Sequence, residues 1–182
     1  DTVITTPPTF DMYRLYADIQ GVEITEVPLC ASDFSFDVPA ILSASRSKPK
    51  LIFLCSPNNP TGSLISETNL TKIVKATAGQ SIVILDESYV EFADRASLTS
   101  RVLEHHNLVV LRTLSKAHGL AGARCGAVIA CGPIIDMMAK VLPPYSFPTP
   151  AIDAVLEVLS SERLKESAAT VANIIAERTR VS

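Results

Sequence analysis

The chain has 182 residues, with 16 Lys and Arg against 19 Asp and Glu and a formal net charge of −3. Hydrophobic residues make up 47% and charged residues 19%, which excludes disorder, because enough apolar surface is available to offset the entropy of ordering the chain. The length fits one domain of ordinary size, and no basic stripe of the kind that neutralises a nucleic-acid backbone is present.

Aromatic residues are only 5% and Trp is absent. That aliphatic balance suits a sheet buried on both faces by helices, whose strands run nearly continuously apolar. The stretch most like a membrane span, Cys125 to Leu142, contains Gly, Pro, Asp136 and Lys140 and has Arg124 at its edge, so it fails as a spanning helix. Asp1-Thr2-Val3-Ile4 does not read as a basic-then-apolar leader. Cys30, Cys55, Cys125 and Cys131 show no C-x-x-C spacing, which predicts reduced thiols in a soluble cytoplasmic protein.

In chain order, Thr2 to Thr5 reads as a short strand ending at Pro7-Pro8, and Phe10 to Gln20 as a helix stopped by Gly21. Val22 to Leu29 alternates as a strand, and Cys30 to Lys48 is loop-like with a short helix at Val38 to Ser45. The strand Leu51-Ile52-Phe53-Leu54-Cys55 breaks at Ser56-Pro57-Asn58-Asn59-Pro60-Thr61-Gly62. A helix follows from Ser66 to Thr77, with Ser66 as its cap and Gly79 after its end. A second strong strand, Ser81 to Leu85, runs into Asp86-Glu87-Ser88-Tyr89. Ala96 to Glu104 reads as helical, and Leu108 to Leu111 is a third strand leading to Arg112-Thr113-Leu114-Ser115-Lys116. Gly126 to Ala130 is a fourth apolar run. Ile134 to Val141, Ala151 to Leu159 and Glu162 to Arg180 read as helices, interrupted by the proline-rich stretch Pro143 to Pro150. Strands separated by helices predict an α/β fold, three-layered αβα with a mostly parallel sheet.

Three polar clusters each follow one of the strongest strands: Asn58 to Gly62, Asp86 to Tyr89, and Thr113 to Lys116. In an open parallel sheet, ligands bind just beyond the carboxyl ends of the strands. One edge therefore receives an amide, a carboxylate, a phenol, hydroxyls and an amine. Arg124 follows across a turn containing Gly119 and Gly122. A lysine amine can form an imine with a carbonyl cofactor, and a carboxylate opposite a pyridine nitrogen keeps that ring protonated. Hydroxyls and an arginine can hold a phosphate. That inventory suits pyridoxal phosphate.

Four stretches carry a resemblance: Pro8-Thr9-Phe10-Asp11-Met12-Tyr13, Cys55 to Gly62, Asp86-Glu87-Ser88-Tyr89-Val90-Glu91-Phe92, and Arg112 to Gly126. Together they resemble the histidinol-phosphate aminotransferases, a family of fold-type-I pyridoxal-phosphate enzymes, over nearly the whole chain but only the middle of a family member. The resemblance implies that Lys116 holds pyridoxal 5'-phosphate and shuttles the proton in catalysis. It implies that Asp86 meets the pyridine nitrogen and that Asn59 and Tyr89 bond the ring's phenolic oxygen. Ser115 and Arg124 match phosphate ligands, assisted by Thr113. Phe10 stands where the family usually has a stacking tyrosine, so the aromatic face is kept and the hydroxyl is lost.

On the same footing, residues 1–150 match part of the cofactor-binding large domain and 151–182 a helical connection toward a small C-terminal domain. The family's upstream phosphate-cradling segment and downstream substrate-gripping arginine have no match here. The implied reaction moves an amino group between glutamate and imidazole-acetol phosphate in histidine biosynthesis, giving L-histidinol phosphate and 2-oxoglutarate. The implied assembly is a homodimer, with small-molecule substrates and neither nucleic acid nor membrane as partner.

Other readings of the residues stay open. Tyr13 reads as packing. Glu87 points away from Asp86 on an extended segment and reads as structural. His105, His106 and His118 lack a second ligand at metal spacing, so no metal is expected. The same cofactor motifs serve decarboxylases of phosphorylated amino acids, and a non-catalytic fragment could keep the fold alone. A nucleotide-binding protein is disfavoured, because no G-x-G-x-x-G or P-loop follows a strand.

Overall fold

The structure, a computed structural model, describes residues 1–181. The sheet contains β1 (Thr2–Thr5), β2 (Glu23–Glu26), β3 (Leu51–Cys55), β4 (Ile82–Asp86), β5 (Leu108–Thr113) and β6 (Gly126–Ile129). Their order is β2-β1-β3-β4-β5-β6. The first five strands run parallel, and β6 closes the edge antiparallel to β5. The helices are α1 (Met12–Ile19), α2 (Val38–Ala44), α3 (Glu67–Ala76), α4 (Gly132–Ala139), α5 (Thr149–Val158) and α6 (Ser161–Val181). None is long and apolar enough to cross a membrane.

Local chemistry accounts for most of the boundaries. The Asp37 carboxylate accepts the Ala40 N–H at 2.9 Å to start α2, and the Ser66 hydroxyl accepts that of Asn69 at 3.2 Å to start α3. The chain leaves α3 through Gly79 at φ +72°, a left-handed conformation that costs glycine little. β2 is shorter than the alternating run Val22 to Leu29. The chain nevertheless keeps pairing beyond it, with Val27 N–H on Thr5 O at 2.9 Å and Leu29 N–H on Pro7 O at 2.8 Å. The expected helix at Ala96 to Glu104 narrows to a 3-10 turn, Thr99–Leu103. Its entry is held by a tertiary bond, since the Leu98 N–H donates to Glu87 Oε1 at 2.8 Å.

The core sits between the sheet and the α2/α3 layer. Ile52 and Leu54 of β3, Val83 and Leu85 of β4, and Leu108 and Val110 of β5 are fully buried. They pack with Ile41, Leu70, Ile73 and Val74 from the two helices. Alternate residues face the other side, where Phe53 and Ile84 are half-buried. Tyr13 from α1 stacks on Phe53 there, with ring centroids 4.8 Å apart and planes 14° from parallel. The period of two along each strand thus separates a closed aliphatic face from a face that presents aromatic and polar groups.

Consecutive strands β1 and β2 lie to one side, and the chain then crosses back so that β3 pairs with β1 on the other. This reversal is the topological switch point of the sheet, where the loops leaving β1 and β3 turn apart and open a crevice. The first carries Phe10 and the second carries Asn59.

Candidate functional site

The register β3–β4–β5 aligns Cys55 with Asp86 and Asp86 with Leu111. Strand ends aligned in this way release three loops at one edge. Asn59 follows four residues after Cys55, Tyr89 three after Asp86, and Lys116 five after Leu111. Lys116 is exposed, and its Nζ lies 5.2 Å from the centroid of the Tyr89 ring, within range of a cation–π contact. Asn59 and Tyr89 both line a cavity of about 520 Å³, together with Pro57, Gly62, Asp94 and Arg178.

Asp86 is the best-held member of the set. It is buried at 8% exposure, and its Oδ1 accepts the Ser88 N–H at 2.9 Å and the Ser88 hydroxyl at 2.6 Å. Its Oδ2 accepts the Tyr13 phenol at 2.6 Å. Burial, reinforced by the adjacent Asp86 charge, pushes the Tyr13 phenol well above its ordinary range. Tyr13 is therefore a donor that keeps its proton, and it meets the carboxylate as more than packing. The Ser88 contact is an Asx-type turn, a local signal readable in Asp-x-Ser. The Tyr13 contact joins residues 73 apart, and no local pattern announces it. Burial and the Asp86 charge also push the Cys55 thiol up.

Glu87 faces the opposite way, as its place on an extended segment predicts. It is fully buried and accepts the Leu98 N–H and the Ser97 hydroxyl. Nearby, Arg95 donates to the Ile65 carbonyl and, at 3.0 Å, to the Ser56 hydroxyl. These bonds fasten the loop after β3 to the loop after β4.

Asn58 has the structural role in its pair. It accepts the Thr9 hydroxyl at 2.7 Å and donates to Pro8 O at 2.9 Å and to the Thr61 hydroxyl at 2.8 Å. It therefore ties the β1 loop to the β3 loop and leaves Asn59 at the cavity wall. Phe10, 42% exposed, meets Tyr13 edge-on at 5.6 Å.

Around Lys116, the Thr113 hydroxyl accepts the Ser115 N–H at 3.1 Å and approaches the Cys125 carbonyl at 3.4 Å. Arg124 adopts a left-handed backbone at φ +52°, is exposed, and donates to Ala121 O at 3.1 Å. Ser115, Lys116 and Arg124 thus belong to one loop that leaves β5 at Thr113 and enters β6.

The family model for aminotransferase class I and II matches residues 1–182. The chain belongs to the class I and II aminotransferase family. Among relatives of this aminotransferase chain, the histidinol-phosphate aminotransferase of Yersinia enterocolitica is 43% identical over 178 residues, 98% of this chain and 47% of the relative. The crystal structure of histidinol-phosphate aminotransferase from Sinorhizobium meliloti in complex with pyridoxal-5'-phosphate superposes with a TM-score of 0.84 at 26% identity, over 94% of this chain and 47% of that one. A decarboxylase from Sulfurospirillum multivorans superposes with a TM-score of 0.83 at 26% identity, over 98% and 52% of the two chains. The aminotransferase chain described here spans about half the length of these relatives.

Proposed function

We propose that this chain is the cofactor-binding half of a pyridoxal-phosphate-dependent transaminase that interconverts L-histidinol phosphate plus 2-oxoglutarate and imidazole-acetol phosphate plus L-glutamate. The observation that carries the reading is the convergence on one sheet edge of a buried, triply hydrogen-bonded carboxylate, Asp86, with the Lys116 amine over the Tyr89 ring. This donor set fits pyridoxal phosphate: an anion for a pyridinium nitrogen, an amine for an aldehyde, and donors for a phenolate and a phosphate. When bound, the cofactor supplies an aldehyde carbon and a ring that accepts the electron pair released at the substrate carbon.

Each residue then has a task set by its own chemistry. Asp86, held in place by its three donors, keeps the pyridine nitrogen protonated, the electrostatic condition for drawing charge into the ring. Asn59 and Tyr89 donate to the ring's phenolic oxygen. Ser115 and Arg124, with Thr113, hold the phosphate, Arg124 by a forked guanidinium suited to it. Phe10 offers an aromatic face for stacking. Lys116 moves the proton at Nζ between the two carbons of the transfer, as a positioned general base and acid. Residues 1–150 make up the cofactor domain and 151–182 a connection to a small C-terminal domain, helical in α5 and α6, with residue 182 outside the described residues.

The names of relatives at 43% identity favour histidinol phosphate as substrate. The reading includes a homodimer, supported by the exposed apolar side chains Leu15, Tyr16 and Ile19 along α1. It also includes a cytoplasmic location, which suits four unpaired cysteines.

The test is to mix the purified chain with pyridoxal phosphate, reduce with borohydride, and map the modified lysine by mass spectrometry. Modification concentrated at Lys116 and lost in Lys116→Ala is the expected outcome. A spread of adducts over surface lysines refutes the cofactor site. Product analysis with L-histidinol phosphate and 2-oxoglutarate then separates the reaction classes: glutamate supports transamination, and carbon dioxide from an amino-acid substrate supports decarboxylation instead.

A further inference from the structure

Beside the Lys116 loop lies a group of polar side chains that the cofactor contacts leave unused. Glu91, on the 3-10 turn Val90–Phe92, accepts a hydrogen bond from Arg112 through Oε1, and His118 Nε2 lies 4.0 Å from the same oxygen. The three side chains are 19%, 29% and 16% exposed, respectively. Glu91 and Arg112 therefore attract each other through a medium of lower dielectric than bulk water, with the His118 ring beside the pair. Arg112 Nε and His118 Nδ1 are buried with no protein partner among the described residues. All three residues line a cavity of about 280 Å³, as do Val155 of α5 and Leu159 just after it.

Arg112 precedes Thr113, and His118 follows Lys116 by two residues, so Glu91 contacts the chain on both sides of the lysine. Two residues before Glu91 is Tyr89, whose ring faces the Lys116 amine. The loop's own backbone bonds are Leu120 N–H on Leu114 O at 2.9 Å, Gly119 N–H on Lys116 O at 3.0 Å and Leu114 N–H on Cys125 O at 3.2 Å. These close the loop on itself and on β6. They do not reach across to the Asp86–Phe92 segment, which the Glu91 contacts do.

We propose that Glu91 is a positioning residue for Lys116, holding the two ends of the lysine loop through Arg112 and His118 so that the amine stays over Tyr89. This rests on the reading of Lys116 as the cofactor lysine. An exposed loop lysine samples many rotamers, and a near-attack position for its amine needs a loop that does not drift by an ångström. One carboxylate that bonds an arginine and lies 4.0 Å from a histidine supplies that restraint from the turn after β4.

The test compares the parent chain with Glu91→Gln, His118→Asn and the double variant. The readout is the initial rate of borohydride-trapped pyridoxal phosphate at Lys116, divided by the rate at Lys75 on α3. Hydrogen exchange of amides 114–120 is followed without cofactor. We expect the Lys116:Lys75 ratio to fall at least tenfold in Glu91→Gln and about threefold in His118→Asn. The double variant should match Glu91→Gln alone, because both changes break one contact set, and loop exchange should rise while that of α3 stays constant. A ratio within twofold of the parent, with the parent still selective for Lys116, overturns the proposal and leaves the cofactor reading standing. A parent with no selectivity for Lys116 overturns both. A lower melting temperature with an unchanged ratio marks Glu91 as merely structural and also overturns it. If Glu91→Gln does not fold, His118→Asn decides alone by the same threefold criterion.

Discussion

Replacing Tyr13 by Phe removes the oxygen that bonds the Asp86 carboxylate and leaves the ring in place. Tyr13 and Asp86 are 7% and 8% exposed, and the phenol donates to Oδ2 at 2.6 Å. That distance lies in the charge-assisted range of about 2.5–2.7 Å for O–H···O⁻ bonds, and bonds to charged groups contribute about 1.5–3 kcal/mol. The stacking on Phe53 and the edge contact with Phe10 survive in the variant. The loss is therefore the bond itself plus an under-satisfied buried oxygen, which places Tyr13→Phe in the upper half, at about 2–3 kcal/mol. For a chain of this length that corresponds to a fall of roughly 4–12 °C in Tm. Urea unfolding of the ligand-free chain, followed by circular dichroism, measures it. A change below about 0.5 kcal/mol would refute the reasoning, because the phenol would then not be supporting the carboxylate.

The same buried groups set the pH dependence. Tyr13 and Cys55 both have raised pKa values in the folded chain, so the unfolded chain loses those protons first, from about pH 8.5 for the thiol and about pH 10 for the phenol. Above those values the unfolded state binds fewer protons, and stability should fall as pH rises, with the part above about pH 10 reduced in Tyr13→Phe. Alkylation at pH 8 should label Cys55 more slowly than the half-buried Cys30, Cys125 and Cys131; equal rates would contradict its burial. Gly126→Ala would place a Cβ 2.9 Å from the Arg112 carbonyl oxygen, forcing β6 away from β5 at a cost of about 1–3 kcal/mol, measured by urea melts. Glu87→Ala strands the Leu98 N–H and takes the compensating charge from Arg95, so it should cost about 3 kcal/mol or more. An unchanged midpoint would remove Glu87 from the framework.

Two parts of this molecule follow from local chemistry alone. The apolar runs Leu51 to Cys55, Ile82 to Leu85 and Leu108 to Leu111 can satisfy their backbone and bury their side chains only as strands of a covered sheet. The polar residues directly after them must then collect at its carboxyl edge. Asn59, Asp86, Tyr89, Ser115 and Lys116 could be placed at one sheet edge for that reason. Ser66 and Gly79 likewise bound α3 by capping and turn chemistry that acts within four residues. What the tertiary structure decided depends on which strands become neighbours. The crossing from β2 back to β3 sets the switch point, and β6 closes antiparallel because it returns directly from the Lys116 loop. Tyr13 reaches Asp86 across 73 residues, and Glu91 meets Arg112 across 21. Periodicity records only which face a residue occupies. A hydrogen bond between two such residues exists only once the sheet order has brought donor and acceptor within about 3 Å of each other.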